Sequence, residues 1–229
     1  MSGPSASYAA LVPALDCADT IAGVVRGARS HVDCVLVVDD GSSDTTANEA
    51  RAAGAEVLSH GQNLGKGVAL AAGLRYLEER GFSHAISLDA DGQHLADEIP
   101  KLVAESAAHP RALVVGARQI ESEVAAIKRF GNEFANLWVR IATGEDLGDT
   151  QCGFRVYPIA PTLALHPSGQ RFDFETEVLI RARRAGIEVR SVPIRVFYPP
   201  PDLRHSHYDR VWDTVRIIEM VVGLILRIR

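Results

Sequence analysis

The chain has 229 residues, 47% of them hydrophobic and 23% charged, enough for one well-buried α/β domain and an appendage. A formal net charge of −5 argues against a general nucleic-acid binder, which would carry a basic face. Cys17, Cys34 and Cys152 are far apart and lack metal-ligand spacing, the usage of a reducing cytosol, and no basic start with an apolar stretch suggests a secretory signal. Short apolar runs alternate with helical patterns, the signature of βαβ units and a mainly parallel sheet. Tyr8–Val12 is expected as a first strand closed by Pro13, Thr20–Arg29 as a helix, and Cys34–Val38 as a fully buried strand with Cys34 in the core. Asp39–Asp44 breaks the pattern, and Ser43 is a good N-cap for a helix to about Ala53, stopped by Gly54. Ala55–Leu58 follows as a strand, Lys66–Arg80 as an amphipathic helix ended by Gly81, and Ala85–Leu88 as a strand. A helix near Glu98–Ala108 leads to a fifth strand, Ala112–Val115. Beyond Arg118 the rhythm changes: Ile127–Ala142 helical, Gln151–Tyr157 extended, Glu175–Arg184 helical, Val189–Tyr198 extended. The expectation is one domain over 1–198, with a regular nucleotide-binding half (1–117) and an irregular acceptor half (118–198), then a C-terminal helical segment (199–229).

Asp89-Ala90-Asp91-Gly92-Gln93 follows an apolar strand, where the ligand crevice of an open parallel sheet is expected. Extended backbone would put Asp89 and Asp91 on one side. Two carboxylates there repel unless a cation sits between them, and Mg²⁺ or Mn²⁺ is the natural partner, with Gln93 adding a carbonyl oxygen. A solvated acidic turn is the competing reading. Asp39 and Asp40 open on the same sheet edge and can accept from a base N–H or ribose hydroxyls; an Asx-type turn explains part of the same segment. Gly61–Gly67 is not a P-loop, because the spacing before Lys66 is one residue short and Gly67 replaces the required Ser or Thr. Lys66 remains as a Gly-flanked lysine at a helix start, where it reaches phosphate and backbone N–H groups point outward.

Val12-Pro13-Ala14, Asp39–Asp44, Asn63-Leu64-Gly65-Lys66-Gly67, Asp89–Gln93, Gly116-Ala117-Arg118, Gly153-Phe154-Arg155 and Val192-Pro193-Ile194 occur in the order seen in family 2 glycosyltransferases. Over residues 8 to 198 the chain resembles the dolichol-phosphate mannosyltransferase and polyprenyl-phosphate glycosyltransferase branch. The resemblance implies the A-type glycosyltransferase fold, an α/β, Rossmann-like, mainly parallel central sheet flanked by helices. It also implies a GDP- or UDP-hexose donor, a Mg²⁺ or Mn²⁺ ion and inversion at the anomeric carbon. Carried over by position, Pro13, Ala14 and Leu15 line the base pocket and Asp39 or Asp40 bonds the nucleoside. Lys66, Asp89 and Ala90 join them on the donor, and Asp89, Asp91 and Gln93 hold the metal. Arg118, Arg129 and Asn132 fall where similar enzymes grip the acceptor phosphate, and Asp149 is the candidate active-site carboxylate beside it. Asp91, Asp149 and Arg118 thus form the expected catalytic set. A sugar-hydroxyl acceptor would need a base; a phosphate is already anionic, and Asp149 would then orient rather than deprotonate. Surface salt bridging is the alternative for Arg118 and Arg129.

Leu15 and Cys17 stand where relatives often have an aromatic residue and a glutamate. Arg204-His205-Ser206-His207-Tyr208 replaces a segment commonly arginine, glycine, serine, lysine; Arg204 and His207 are expected on the acceptor phosphate. That departure motivates the alternative of a saccharide, glycolipid or other lipid acceptor. Phe172–Glu177 resembles another family segment, in which Glu177 shapes the donor–acceptor junction or is a favourable helix-start carboxylate. A sugar-1-phosphate nucleotidyltransferase would carry a Gly-rich, Arg-containing loop where Ala14–Asp19 stands, and the Asp89/Asp91 pair counts against a non-catalytic binding protein.

From Asp209 the tail fits a helix with one narrow polar stripe. Its apolar run Met220–Leu226 is too short to span a bilayer. An interfacial helix with a tryptophan and terminal arginines is expected, placing residues 209–229 peripherally on the cytoplasmic face of a membrane that holds a lipid-phosphate acceptor. Packing on the domain or a homo-oligomer contact is the alternative.

Overall fold

The computed structural model describes residues 6–119, 136–197 and 212–226. The first half alternates β1 (Tyr8–Ala14), α1 (Ala18–Arg29), β2 (Cys34–Asp39), α2 (Thr46–Ala52), β3 (Glu56–Ser59), α3 (Lys66–Glu79) and β4 (His84–Ser87). A 3-10 turn at Ala96–Glu98 runs into α4 (Ile99–Ala108), followed by β5 (Leu113–Arg118). Then come helix α5 (136–143), β6 (Arg155–Pro158), α6 (Ile159–Ala164), α7 (Asp173–Arg184), β7 (Val189–Ile194) and α8 (Trp212–Leu226).

The apolar runs Ala9–Val12, Val35–Val38 and Ala85–Ile86 are buried because they form the middle of a seven-stranded sheet in the order β3-β2-β1-β4-β6-β5-β7. Helices flank it in two groups, α1 with α2 and α4 with its leading turn, and α3 with α6, α7 and α8. Gly73 lets α3 lie close on the sheet: a Cβ there would fall 2.3 Å from the Leu11 side chain. All strand pairs are parallel except those of β6, which runs antiparallel to both β4 and β5.

Two features of this topology place the site. From β1 the chain moves outward to β2 and β3, whereas β4 lies on the other side of β1, so the loops after β1 and β4 flank a switch point, where open sheets bind ligands. Because β6 runs backwards, the residues that enter it lie where β4 ends. Ser87 pairs with Arg155, and the Ser87 hydroxyl donates to the Gly153 carbonyl at 2.5 Å.

The parallel sheet and the order of its elements match the sequence expectation; several boundaries do not. Pro13 does not close β1, which continues to Ala14 in register with β2; β4 pairs only as far as Leu11, so the proline lies where the ladder has already opened. Ser43 is not an N-cap. Its N–H and hydroxyl both donate to Asp16, and α2 starts after Thr45. Cys34 is half-buried, at the exposed start of β2. Strand β5 runs on to Arg118, whereas β6 starts only at Arg155 and β7 stops at Ile194. The short helix α6 carries no amphipathic period long enough to announce it. The helical reading of Ile127–Ala142 holds for 136–142; the rest of that segment lies outside the described residues.

Candidate active site

The loop after β1 and the loop after β2 are stitched together. The Asp16 N–H donates to the Ser42 hydroxyl at 2.9 Å, and the Cys17 N–H to the Thr46 hydroxyl at 2.7 Å. Asp44 accepts from Thr46 and from the Ala18 N–H, serving the first turns of α1 and α2 together. Burial works against its ionisation, but those hydrogen bonds outweigh it and hold its carboxyl below the usual range. Asp16 accepts this tight crossing with a left-handed φ of 47°. Pro13 and Ala14 end β1 and Leu15 follows them, on the rim of the crevice.

Asp39 and Asp40 are both buried, yet they differ in what they touch. Asp40 accepts from the N–H groups of Leu64 and Gly65 at 3.1 and 2.7 Å, and lies 2.7 Å from His60 Nδ1. Its carboxylate is therefore a latch that fixes the approach to α3. Asp39 accepts from the Ser42 N–H at 3.1 Å, and no bond to its other oxygen occurs among the described residues. Of the two, Asp39 is the one whose carboxylate is not fully taken up by the neighbouring loop among the described residues.

The expectation for the start of α3 needs correction. The Gly67 and Val68 N–H groups do not point outward to phosphate; both donate to the Gln170 carbonyl, at 2.9 and 3.2 Å. Glycine is required for this approach, since a Cβ on Gly67 would fall 2.5 Å from the Gly169 carbonyl oxygen. The 168–170 loop is in turn held by Glu177, which is buried in the second turn of α7 and accepts from the N–H groups of Ser168 and Gly169 and from Arg181. Glu177 therefore acts as a loop anchor and not as a helix-start charge.

Lys66, the first residue of α3, turns inward. Its ammonium lies 2.6 Å from Asp89 Oδ1, 3.2 Å from Glu175 Oε2 and 5.3 Å from the Phe172 ring centroid. Burial pulls this lysine down, but the two carboxylates prevail and hold it above its ordinary value. Burial likewise opposes ionisation of Asp89, and Lys66, with His94 behind it, holds that carboxyl well below its ordinary value. Asp91 goes the other way, raised by burial and then by the Asp89 charge beside it. This repulsion is what a cation between them would relieve.

The loop does not continue β4 in extended form. Residues 90–91 turn, Gly92 takes φ 74°, and Gln93 folds back to donate from its N–H and its side-chain amide to Asp91, at 3.0 and 2.5 Å. The Thr20 hydroxyl holds the Ala90 carbonyl at 2.6 Å, and His94 Nδ1 accepts the Asp89 N–H at 3.0 Å.

On the other flank, Arg118 ends β5 and meets Asp149 in the approach to β6. Arg118 Nε and Nη2 donate to the two carboxylate oxygens at 2.5 and 2.8 Å. The two expected acceptor-side residues are thus partners of each other, and Asp149 orients the guanidinium. Arg129, Asn132, Arg204 and His207 lie outside the described residues.

The family model for glycosyl transferase family 2 matches residues 9–175, most of the chain and all of this crevice. The chain belongs to the family 2 glycosyltransferases. The undecaprenyl-phosphate mannosyltransferase of Micrococcus luteus is 32% identical to this glycosyltransferase over 187 residues, 75% of this chain and 74% of that one. The UDP-N-acetylglucosamine–dolichyl-phosphate N-acetylglucosaminyltransferase of Methanococcus voltae is 27% identical over 212 residues, 82% of this chain and 84% of the relative. The crystal structure of glucosyl-3-phosphoglycerate synthase from M. tuberculosis covers 97% of this chain and 80% of its own, with a TM-score of 0.73 at 22% identity, the likeness of a shared A-type glycosyltransferase fold. That synthase has also been crystallised with Mg²⁺ and UDP.

Two residues of this glycosyltransferase escaped the sequence reading. Arg155 is fully buried and donates to the carbonyls of Cys152, Glu175 and Thr150 at 2.7, 2.6 and 2.8 Å, tying the Asp149 loop to α7. The signal was an arginine at the mouth of an apolar strand, in a motif already singled out. Glu175 also lay in a segment already singled out, Phe172–Glu177, but that reading weighed Glu177, and the role of Glu175 shows only where α7 brings it to Lys66.

Proposed function

We propose that this family 2 glycosyltransferase moves a hexose from a GDP- or UDP-linked donor to a polyprenyl phosphate of the dolichyl or undecaprenyl type. The observation that carries the reading is the convergence of Asp89, Asp91 and Lys66 at the switch point with the Arg118–Asp149 pair on the next flank. Two relatives are named for transfer to undecaprenyl or dolichyl phosphate, which supports the acceptor class.

The donor set suits a hard divalent ion. Asp89 and Asp91 supply carboxylate oxygens and Gln93 an amide oxygen, the ligand chemistry of Mg²⁺ or Mn²⁺. No group of three or more His, Cys, Asp or Glu able to hold a metal occurs among the described residues, so ligand phosphate oxygens would complete the shell. Such an ion neutralises charge on the departing diphosphate. Lys66 adds a second positive charge beside it, and in this reading Asp39 takes the nucleoside. Arg118 suits an anionic acceptor through its planar fork of donors. Asp149 already engages Arg118 with both oxygens and is not poised as a base. That favours a phosphate nucleophile, which needs none, over a sugar hydroxyl.

No helix among the described residues is long and apolar enough to cross a membrane. Exposed Trp212 and Leu226 on α8 support peripheral contact with a membrane, at its cytoplasmic face in this reading.

The test is nucleoside diphosphate release from GDP-mannose, UDP-glucose, UDP-N-acetylglucosamine or UDP-galactose, with Mn²⁺ or EDTA and with or without polyprenyl phosphate. One donor should give release that needs metal, rises with the lipid phosphate and falls about a hundredfold or more in Asp91→Asn. Release indifferent to lipid phosphate would replace the acceptor class, and no release from any donor would remove the transferase reading.

A further inference from the structure

Glu175 is almost wholly buried, and its Oε1 has no hydrogen-bond partner among the described residues, while Oε2 lies 3.2 Å from the Lys66 ammonium. Gly153 provides the room for this. A Cβ there would fall 2.9 and 3.0 Å from the two Asp89 oxygens and 3.0 Å from Glu175 Oε1. Two carboxylates thus close on one glycine from the loop after β4 and from α7, with the Lys66 ammonium between them. A buried carboxylate oxygen without a donor is costly, and in a native site it calls for a group that uses it. Lys66 is nearer Asp89, at 2.6 Å, so the closer partner is the very residue expected to ligate metal.

We propose that Lys66 is a displaceable counter-ion of Asp89 and that Glu175 is its second berth: as a divalent ion takes Asp89, the ammonium turns onto the Glu175 carboxylate and stays in the crevice. This rests on the metal reading of Asp89 and Asp91. Lys66 then neutralises Asp89 until metal competes for it, and remains beside the diphosphate afterwards. Glu175 is a positioning residue, acting through Lys66. The Arg155 contact to Glu175 is to its backbone carbonyl, so Glu175→Gln leaves that contact in place.

The experiment is Mn²⁺ binding to the full chain, followed by electron paramagnetic resonance and calorimetry without nucleotide and with UDP or GDP. Lys66→Met, which removes the competitor, should bind Mn²⁺ about fivefold to tenfold more tightly than wild type without nucleotide. Glu175→Gln, which leaves Lys66 only Asp89, should weaken Mn²⁺ binding about threefold or more. In the Lys66→Met background Glu175→Gln should have little further effect. Urea midpoints confirm folding, and Lys66→Gln replaces Lys66→Met if the latter does not fold. Unchanged or weaker Mn²⁺ binding in the Lys66 variant would overturn the counter-ion role. An equal loss from Glu175→Gln in both backgrounds would make Glu175 a general negative charge and overturn the berth. Both outcomes differ from a failure of the metal reading itself, in which neither wild type nor any variant binds Mn²⁺, with or without UDP or GDP.

Discussion

Asp39 and Asp40 are adjacent in the chain and separate in purpose. Asp40 spends both oxygens on the segment before α3, with two backbone N–H donors and His60. Asp39 meets one N–H, from Ser42. Charge-assisted hydrogen bonds to buried groups are strong, and leaving their donors unpaired adds a desolvation penalty. Asp40→Asn is therefore expected to lower stability by about 2–3 kcal/mol in urea unfolding. Asp39→Asn should leave the urea midpoint nearly unchanged and weaken nucleoside diphosphate binding in calorimetry. The reverse pattern would exchange the roles assigned to them.

Helix α3 brings Lys66 to the crevice because its first turn is clamped from outside. Asp40 holds Gly65, and the Gln170 carbonyl takes the Gly67 and Val68 N–H groups. Buried Glu177 anchors the loop that supplies that carbonyl. A Cβ on Gly67 would meet backbone, the Gly169 oxygen at 2.5 Å, so the helix would have to move away. Gly67→Ala should cost about 1–3 kcal/mol in urea unfolding and raise the donor KM as Lys66 shifts. Gly61→Ala is the comparison: a Cβ there meets nothing within 4 Å, and its urea midpoint should match wild type. Equal effects at both glycines would show that the clamp does not matter.

At the scale of the molecule, α8 packs on α7 and presents a second face outward. Ile217, Val221 and Leu224 are buried, and Arg184 links the Leu224 carbonyl to that of Ala142 in α5. Trp212 and Leu226, by contrast, are 67% and 68% exposed. Replacing these two with serine should change stability by less than about 0.5 kcal/mol. Binding to vesicles that carry polyprenyl phosphate and anionic lipid should fall about tenfold or more in sedimentation, because each large apolar side chain contributes about 1.5–3 kcal/mol when buried. Unchanged vesicle binding would rule out α8 as the membrane face.

Continuous apolar runs and intervening helical periods determined the parallel half of the sheet by themselves, because burial on both faces leaves a pattern in any sequence that does it. The same runs placed Asp39 at a strand end and Asp89 and Asp91 in the loop that follows one, and the order of the motifs carried the family. The tertiary structure alone decided which charges meet. It turned β6 against its neighbours, which brought Gly153, Arg155 and the Asp149 loop to the end of β4. It paired Lys66 with Asp89 across 23 residues and Arg118 with Asp149 across 31. Hydrophobic periodicity is a local property of the chain. Ion pairing depends on distance and desolvation in space, and these exist only once the sheet and its helices have closed around the site.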